Sequence, residues 1–311
     1  MSLNEQAWVC ADVLAHNASS WRVNVSTVAG ARIIDCGGAV SGGINAGLQM
    51  ARVCLAGLAE VNLLPGPDGP LVQVSSDDPV RACLASQYAG WQIKVDKYFA
   101  MGSGPMRAAY GKEAIFDHIA NGREQPTVAV GVLESRKHPT EDVISWIVGK
   151  LPNTVDKITL LVAPSSSIAG TIQVVARSLE TALHKLHELK FDLSQVVSGY
   201  GVAPMPPVAA DEIKAVGWTN DAILYGGRVD LWVRADDEML ASIGPKVPSS
   251  GSPDHGATFG ELYTRAGGDF YKIDPLLFSP AEVVFHNLKT GRTHAFGKRE
   301  PEILKRSFAK I

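Results

Sequence analysis

The alternation of apolar and polar positions is most regular in residues 157–192, where a short apolar run precedes a long amphipathic one. The run from Ile158 to Ala163 has the length and the branched side chains of a buried strand. From about Ile168 to Lys190, apolar residues recur at helical spacing and share one face. The pattern therefore predicts a buried strand, a short loop of small residues and one long amphipathic helix.

Four polar residues form a second stripe along the flank of this predicted helix. They are Gln173, Arg177, Glu180 and His184, at spacings i, i+4, i+7 and i+11. Arg177 and Glu180 lie three residues apart, and on pattern alone they are a surface ion pair worth roughly a few tenths of a kcal/mol. The stripe either faces solvent or lines a cleft, and periodicity alone favours solvent.

The rest of the chain shows two kinds of pattern. From Thr127 onward, apolar runs of strand and helix length alternate, as in βαβ units. Strand-like alternation on both sides of Ala29-Gly30 and of Thr290-Gly291 predicts two β-hairpins. We therefore expect an α/β (α+β) fold of two intimately associated mixed domains. Residues 1–122 plus 265–311 would form the hairpin-rich domain, and 123–264 the βαβ-like domain with the long helix.

Composition and charge exclude several classes of protein. The chain has 311 residues, of which 46% are hydrophobic and 20% charged, as in ordinary globular proteins. Its formal net charge of −3 argues against a nucleic-acid partner, which would require a basic surplus. No run of 18 apolar residues exists, and residues 1–21 lack the basic region of a signal peptide. We therefore expect a cytoplasmic protein without a membrane span.

Metal, nucleotide and redox signatures are weak. The cysteines at positions 10, 36, 54 and 83 form no CxxC pair, which favours reduced, mostly buried thiols. His184 and His187 share a predicted helix, but this spacing alone is a weak metal signal, so no metal is expected. The chain has no G-x-G-x-x-G register, no GxxxxGK[ST] loop and no G-x-S-x-G elbow. Cofactor redox chemistry and NTP chemistry are therefore poorly supported.

Two glycine-rich turns could receive an anion. Gly37–Gly47 and Gly102-Ser103-Gly104-Pro105 each lead into a predicted helix, the second over about 105–120, where free N–H groups can bind an anion. The commoner alternative is a tight turn that needs positive φ. Lys94 and Lys97 precede the second turn in a predicted strand, 93–101. They would point to opposite faces, so only one would face the anion.

Three further positions could face a ligand. Glu134 ends a predicted strand, and strand ends are where α/β proteins bind ligands. If this strand neighbours 157–163, Glu134 would lie near the start of the long helix. Asn220-Asp221 and the segment 269–274 are rich in hydrogen-bonding and aromatic groups, although such aromatics are more often core residues. These patterns indicate an α/β protein with an anion-accepting cleft, and they name no reaction.

Several longer motifs carry a resemblance to a known family. The motifs are IIDCG, ACLASQYAGWQIKVDKYFAMGSGP, LVAPSSSIAGTIQVVARSLETALHK, TNDAILYGG and DFYKIDPLLFSPAE, which fall between residues 33 and 282. In this order they make the chain resemble the methenyltetrahydromethanopterin cyclohydrolases. One departure is Trp218, where some relatives carry arginine.

The resemblance implies reversible hydrolysis of N5,N10-methenyl-tetrahydromethanopterin to the N5-formyl compound. It implies no metal, nucleotide or redox cofactor, because the pterin substrate itself carries the one-carbon unit. It further implies a two-domain α/β fold with the pterin between the domains and a homotrimer. The expected setting is one-carbon metabolism, either formaldehyde oxidation or methanogenesis.

The resemblance also assigns roles to residues of this chain. Glu180 matches the catalytic glutamate and would act as general base. Arg177 matches its partner, which would orient Glu180 and tune its charge, and Glu134 would assist proton transfer as N10 leaves. The implied substrate-binding residues are Lys94, Lys97, Gly102, Ser103, Gly104, Asn220, Asp221 and Tyr271.

Two other functions compete with hydrolysis. One is formyl transfer from the same carrier to a second cofactor, although no separate module for a second cofactor is visible. The other is binding of the carrier without turnover, against which the presence of both Arg177 and Glu180 argues.

Overall fold

The structure of the protein is a computed structural model that describes residues 1–308, leaving aside the side chain of Tyr271. Its strands are β1 (Asn24–Val28), β2 (Ala31–Asp35), β3 (Glu60–Leu64), β4 (Leu71–Ser76), β5 (Trp91–Val95), β6 (Tyr98–Ser103), β7 (Val128–Glu134), β8 (Lys157–Ala163), β9 (Val196–Pro204), β10 (Arg228–Val233), β11 (Glu282–Asn287) and β12 (Thr293–Gly297). Its α-helices are α1 (Leu3–His16), α2 (Ala18–Trp21), α3 (Ile44–Cys54), α4 (Met106–Tyr110), α5 (Glu141–Val148), α6 (Ile168–Val175), α7 (Ser178–Glu188), α8 (Glu212–Gly226), α9 (Asp237–Ile243), α10 (Phe259–Arg265) and α11 (Pro301–Phe308). None of the helices in this described part has the length and apolar content needed to cross a membrane.

The chain divides into two compact units. The first comprises Met1–Glu60 and Val80–Gln173, and the second comprises Val61–Pro79 and Val174–Ile311. Within the described residues each unit contains one six-stranded sheet with both parallel and antiparallel pairs. The expected fold class, with two mixed α/β parts, is therefore confirmed.

The first unit is built on a sheet with the strand order β1-β2-β8-β7-β6-β5. The central strands β2, β8 and β7 are parallel, and the edge strands pair antiparallel. Side chains of adjacent residues enter opposite cores: Leu160 belongs to the cluster that contains α5 residues, and Leu161 to the one that contains α1 and α3 residues. Because both faces are covered, β8 is apolar at nearly every position, as a central parallel strand requires.

The second unit is built on a sheet with the strand order β12-β11-β10-β9-β4-β3. Strands β10 and β11 are parallel, while β9 pairs antiparallel with both β10 and β4. Helix α7 packs on β9 and β10. Helices α8, α10 and α11 form a separate apolar cluster around Tyr225 and Phe259.

These compact units differ from the division expected from the sequence, 1–122 plus 265–311 and 123–264. Strands β7 and β8, placed in the middle domain, join β2 in one sheet. Strands β11 and β12, placed with the N-terminal segment, join β9 and β10 in the other. Apolar periodicity identifies strands but does not identify which distant strands pair, so it did not determine whether the two ends of the chain belong to one domain.

The predicted helix from Ile168 to Lys190 is two helices, α6 and α7. The break falls at Arg177, whose ψ of 5° leaves the helical range and whose N–H donates to the carbonyl oxygen of Val174 at 3.0 Å. Such a tight turn preserves the apolar face on both sides, so periodicity runs on across the break. The structure therefore makes Arg177 the residue that precedes a new helix.

Other local predictions were too coarse. The expected strand 93–101 is the hairpin β5–β6, which turns at Asp96 with φ of 50°. The expected helix over 105–120 ends at Tyr110, because Gly111 adopts a left-handed conformation. Strand β9 and helix α11 were not predicted, and residues Arg81–Gln87 form a π-helix.

Candidate active site

Helix α7 begins with the two residues that the resemblance names as catalytic. Arg177 directly precedes the helix and Glu180 occupies its third position. Only 7% of Arg177 and 5% of Glu180 are exposed, so the solvent-facing interpretation is wrong for this pair. A carboxylate in the first turn of a helix also lies near unsatisfied N–H groups that favour its negative charge. The sequence thus places a buried base candidate on a rigid helix terminus.

The remaining two residues of the polar stripe divide between inside and outside. Gln173 is fully buried. His184 is partly exposed and lies 4.0 Å from Glu188, one turn further along α7. The solvent-facing interpretation is therefore correct only near the C-terminal end of the stripe.

Two glycines of β9 allow the start of α7 to approach the sheet closely. A methyl group on Gly199 would lie 2.7 Å from the side chain of Leu179, and one on Gly201 would lie 2.7 Å from Oγ of Ser178. Both distances are shorter than a van der Waals contact, so a larger side chain at either position would force atoms at the start of α7 to shift. The close approach fixes the position of the helix terminus that carries Arg177 and Glu180.

Glu134 ends strand β7, which is parallel to β8 and pairs with it up to Glu134 and Ala163. Its Oε1 accepts a hydrogen bond from Oγ of Ser165, a buried residue just after β8 and three residues before α6. Strands β7 and β8 are therefore neighbours, which is the condition under which Glu134 was expected near the start of the long helix, and Glu134 does contact the residue that lies three positions before α6. Ser165, which holds the Glu134 carboxylate, was not identified from the sequence.

The first glycine-rich turn already contains an anion, the carboxylate of Asp35 at the end of β2. Oδ1 accepts from the N–H groups of Gly37 and Gly38 at 3.0 and 2.6 Å, and Oδ2 accepts from Ala39 at 2.7 Å. His138 is a fourth partner, with Nε2 2.9 Å from Oδ2. Burial acts to raise the pKa of Asp35, but these hydrogen bonds outweigh it and hold the pKa below its ordinary value. The turn therefore binds the chain's own carboxylate.

The second glycine-rich turn is an internal feature of the first unit. Gly102, Ser103 and Gly104 are buried, and the N–H of Gly104 donates to the carbonyl oxygen of Ser86 at 2.9 Å. Gly104 has φ of 86°, so the tight-turn interpretation describes it correctly. Lys94 lies on β5 and Lys97 in the turn of the β5–β6 hairpin, and both are exposed. The two lysines are therefore accessible to a ligand, whereas the N–H of Gly104 already donates to a backbone carbonyl of the same unit.

The pair Asn220-Asp221 lies in α8, and both side chains have partners within the second unit. Nδ2 of Asn220 donates to the carbonyl oxygen of Val216 at 2.8 Å. The buried Asp221 accepts from the Phe259 N–H at 2.8 Å and from Oγ of Ser307 at 2.6 Å. Burial raises the pKa of Asp221 to about 6. Asp221 therefore ties α8 to the start of α10 and the end of α11.

The aromatic segment around Tyr271 is partly described. Its backbone forms a short 3-10 helix, Phe270–Lys272, while the side chain of Tyr271 lies outside the described part of the structure. Phe270 packs near Phe259 and Phe278, with ring centroids 5.9 and 5.2 Å apart. Trp218, the one departure from the resemblance, lies edge-on to the Phe308 ring, with the two ring centroids 6.3 Å apart.

The described residues contain neither a disulfide nor a cluster of side chains that could hold a metal ion. Cys36, Cys54 and Cys83 are buried and in no disulfide, as expected, and burial raises the pKa of Cys36 and of the half-buried Cys10. Within residues 1–308, no three His, Cys, Asp or Glu side chains are placed so that they could hold a metal ion together.

A family model describes the whole chain. The model for Cyclohydrolase (MCH) matches residues 2–308. The chain is also 47% identical to the methenyltetrahydromethanopterin cyclohydrolase of Rhodopirellula baltica, over 98% of this chain and 94% of that protein. The protein of the same name from Methylobacterium sp. (strain 4-46) is 44% identical over 99% and 98%. That of Methanococcoides burtonii is 41% identical over 90% and 89%.

Proposed function

Because the chain belongs to the methenyltetrahydromethanopterin cyclohydrolase family, we propose that it catalyses reversible hydrolysis of N5,N10-methenyl-tetrahydromethanopterin to N5-formyl-tetrahydromethanopterin. Enzymes of this class hydrolyse a C–N bond in a cyclic amidine. Water adds to the methenyl carbon, the ring opens at N10, and one proton is released. The proposed setting is one-carbon metabolism.

The substrate itself supplies the electrophile. The methenyl group is an amidinium-like cation, so its carbon accepts water without a Lewis acid. We therefore propose that no metal, nucleotide or redox cofactor takes part. The protein must supply a base for the attacking water, an acid for N10 and charges that stabilise the intermediate.

The burial of Arg177 and Glu180 together at the start of α7 carries this proposal. A carboxylate that is 5% exposed on a packed helix keeps one orientation and meets little competing water. Glu180 then takes a proton from the attacking water as general base. Arg177 orients Glu180 and tunes its charge. The close contacts at Gly199 and Gly201 support the required precision.

Other residues have supporting roles. Glu134, held by Ser165, assists proton transfer as N10 leaves. The exposed Lys94 and Lys97 suit the polar or phosphate-bearing tail of the substrate. Gly102, Ser103, Gly104, Asn220 and Asp221 are buried or internally bonded, so their proposed contribution is to shape the binding surface. For Tyr271 the proposal is stacking on the pterin ring, by resemblance alone.

A direct assay tests the function. Purified protein is added to the methenyl pterin in buffer, and the methenyl chromophore is followed without any added acceptor. Catalysed decay to the formyl compound supports hydrolysis. Decay only after a second cofactor is added would indicate formyl transfer, and binding without decay would indicate a carrier protein.

The resemblance also supports assembly as a homotrimer. Mass measurement in solution tests this proposal, because a trimer has three times the mass of the chain. A monomer or dimer at assay concentration would contradict it.

A further inference from the structure

Asp35 holds a second titratable side chain, His138, at the edge of the first unit's sheet. The Asp35 carboxylate is 1% exposed and accepts from three consecutive backbone N–H groups, so it is fixed in place. Its remaining partner is Nε2 of His138 at 2.9 Å. Since three amide donors and burial leave this carboxylate no freedom to rotate, it also fixes the imidazole ring.

The hydrogen bond between Nε2 of His138 and Asp35 determines which ring nitrogen is available to a ligand. The lowered pKa of Asp35 keeps it ionised, and an ionised carboxylate only accepts hydrogen bonds, so Nε2 carries a proton. In neutral His138 the lone pair is therefore on Nδ1. Nδ1 has no hydrogen-bond partner among the described residues, and 34% of the side chain is exposed. His138 can thus exchange a proton at Nδ1 with a ligand and with solvent.

The location is one where α/β proteins bind ligands. Asp35 and Glu134 lie at the carboxyl ends of β2 and β7, on either side of β8, where they pair with Val162 and Ala163. His138 follows Glu134 by four residues in the loop after β7. The same loop is held by Arg136, which donates to Oγ of Ser166 at 2.6 Å. One sheet edge therefore carries both Glu134 and a positioned imidazole.

A second Asp–His pair, His286 and Asp230, has similar geometry but leaves neither ring nitrogen of the histidine available. His286 lies 2.8 Å from Asp230 through Nε2, and 30% of its side chain is exposed, close to the values for His138. Its Nδ1, however, is 3.4 Å from Oγ1 of Thr293, and its ring stacks on Trp232 at 4.9 Å. Both nitrogens and one face of His286 are occupied, whereas His138 retains Nδ1.

We propose that His138, oriented by Asp35, is a further catalytic residue that carries the proton between N10 of the substrate and solvent. This inference rests on the proposed hydrolysis of the methenyl pterin and extends it. Asp35 acts through His138 and is a positioning residue. Glu134 assists at the same edge, where its carboxylate accepts a hydrogen bond from Ser165.

The proton balance of the hydrolysis is complete with this assignment. Water adds its oxygen to the methenyl carbon and gives one proton to Glu180. The C–N10 bond then breaks, its electron pair goes to N10, and N10 takes a proton from Nδ1 of the His138 imidazolium. The intermediate's hydroxyl loses its proton to solvent as the C=O bond forms, Glu180 gives the proton it took from water to solvent, and His138 regains one from solvent. The net result is one proton released, and cyclisation runs the same steps backwards.

The test uses His138→Ala and added imidazole in the full-length enzyme. We expect His138→Ala to lower kcat by about 10²-fold or more, the usual effect of a positioned proton-transfer group, with KM little changed. Imidazole should restore activity in proportion to its concentration, because it can occupy the vacated space and carry the proton. Full activity without imidazole, or a loss that imidazole does not relieve, would overturn the proposal.

Two further variants make the test conclusive even if His138→Ala does not fold. His138→Gln retains a donor to Asp35 but cannot carry a proton, so it should fold normally and lose kcat; wild-type activity here overturns the proposal even if the alanine variant is unstable. His286→Ala is the matched control and should show neither the loss nor the rescue. Failure of the wild-type enzyme to hydrolyse the methenyl pterin would instead remove the proposed function, so the two failures are distinguishable.

Discussion

Gly201 of strand β9 lies against Ser178, the first residue of helix α7, so closely that a methyl group on Gly201 would lie 2.7 Å from the Ser178 Oγ. The same methyl group would lie 3.0 Å from the backbone nitrogen of Leu179. Backbone atoms at a helix terminus cannot move aside as a flexible side chain can. The position of Glu180, two residues further along the helix, therefore depends on a glycine in a different element.

The first prediction concerns this contact. Gly201→Ala should push the start of α7 away from the sheet and destabilise the protein by about 1–3 kcal/mol, the usual cost of overpacking. Since small misplacements of catalytic groups are expensive, kcat should fall as well, by up to about 10²-fold. Urea unfolding and steady-state kinetics measure the two effects.

Gly260→Ala is the matched control for this substitution. Gly260 lies in α10, and a methyl group there would meet nothing within 4 Å. Stability should be unchanged or slightly raised, because alanine is the better helix former. If Gly201→Ala and Gly260→Ala behave alike, the close approach of α7 to β9 is not needed.

The second prediction concerns the base. Glu180→Gln conserves the size of a buried side chain but removes its ability to take a proton. Turnover should fall by about 10² to 10⁴ while the thermal unfolding midpoint changes little. Glu188→Gln, at the exposed far end of the same helix, should leave turnover unchanged. Near-wild-type activity of Glu180→Gln would remove Glu180 from the mechanism.

The third prediction separates catalysis from structure at Arg177. Removing a charged hydrogen-bonding partner costs about 1.5–3 kcal/mol, so Arg177→Ala should lower kcat/KM roughly 10- to 150-fold. Arg177→Lys keeps the charge without the planar fork and should retain an intermediate activity. A lower melting temperature with an unchanged rate in the alanine variant would show that Arg177 is only structural.

Local pattern was sufficient for much of the fold but not for its assembly. The apolar run of β8 and the hairpin at Ala29-Gly30 were predicted, because each depends on neighbouring residues. Strand β9 escaped because Gly199 and Gly201 stand where apolar side chains would have marked it. A larger side chain at either glycine would press on the start of α7, and such a contact between distant elements leaves no mark in the apolar periodicity.

Local sequence pattern was also insufficient to predict which residues meet in the candidate site. Asp35 and His138 are 103 residues apart in sequence, and only the pairing of β2 and β7 with β8 brings them together. An aspartate that ends a strand before a glycine-rich turn was a usable signal for Asp35, since such a carboxylate can accept the turn's N–H groups. Nothing in the local pattern marked His138. The roles given to Arg177 and Glu180 came from resemblance, against the solvent-facing interpretation of the stripe.

The fourth prediction concerns the pH dependence of stability at Asp221. Its pKa is about 6 in the fold against an ordinary value of 3.8, because burial disfavours the charged form more than its hydrogen bonds favour it. The folded protein therefore binds a proton that the unfolded chain has already lost between these values. The stabilising contribution of the neutral carboxyl is present below the lower value and disappears as pH rises toward the higher one. The difference corresponds to about 3 kcal/mol.

The substitution Asp221→Asn measures this contribution, because an asparagine side chain can still accept from the Phe259 N–H and can donate to Ser307. Urea unfolding of both proteins from pH 4 to pH 7 should show the wild type losing stability relative to the variant, with little further change above about pH 7. Asp192→Asn is the control: Asp192 is exposed and hydrogen bonds from Ser194 lower its pKa, so its contribution is lost only at more acidic pH. If the difference in stability between the wild type and the Asp221→Asn variant stays constant across this range, Asp221 is already ionised in the fold at pH 4, and burial does not control its charge.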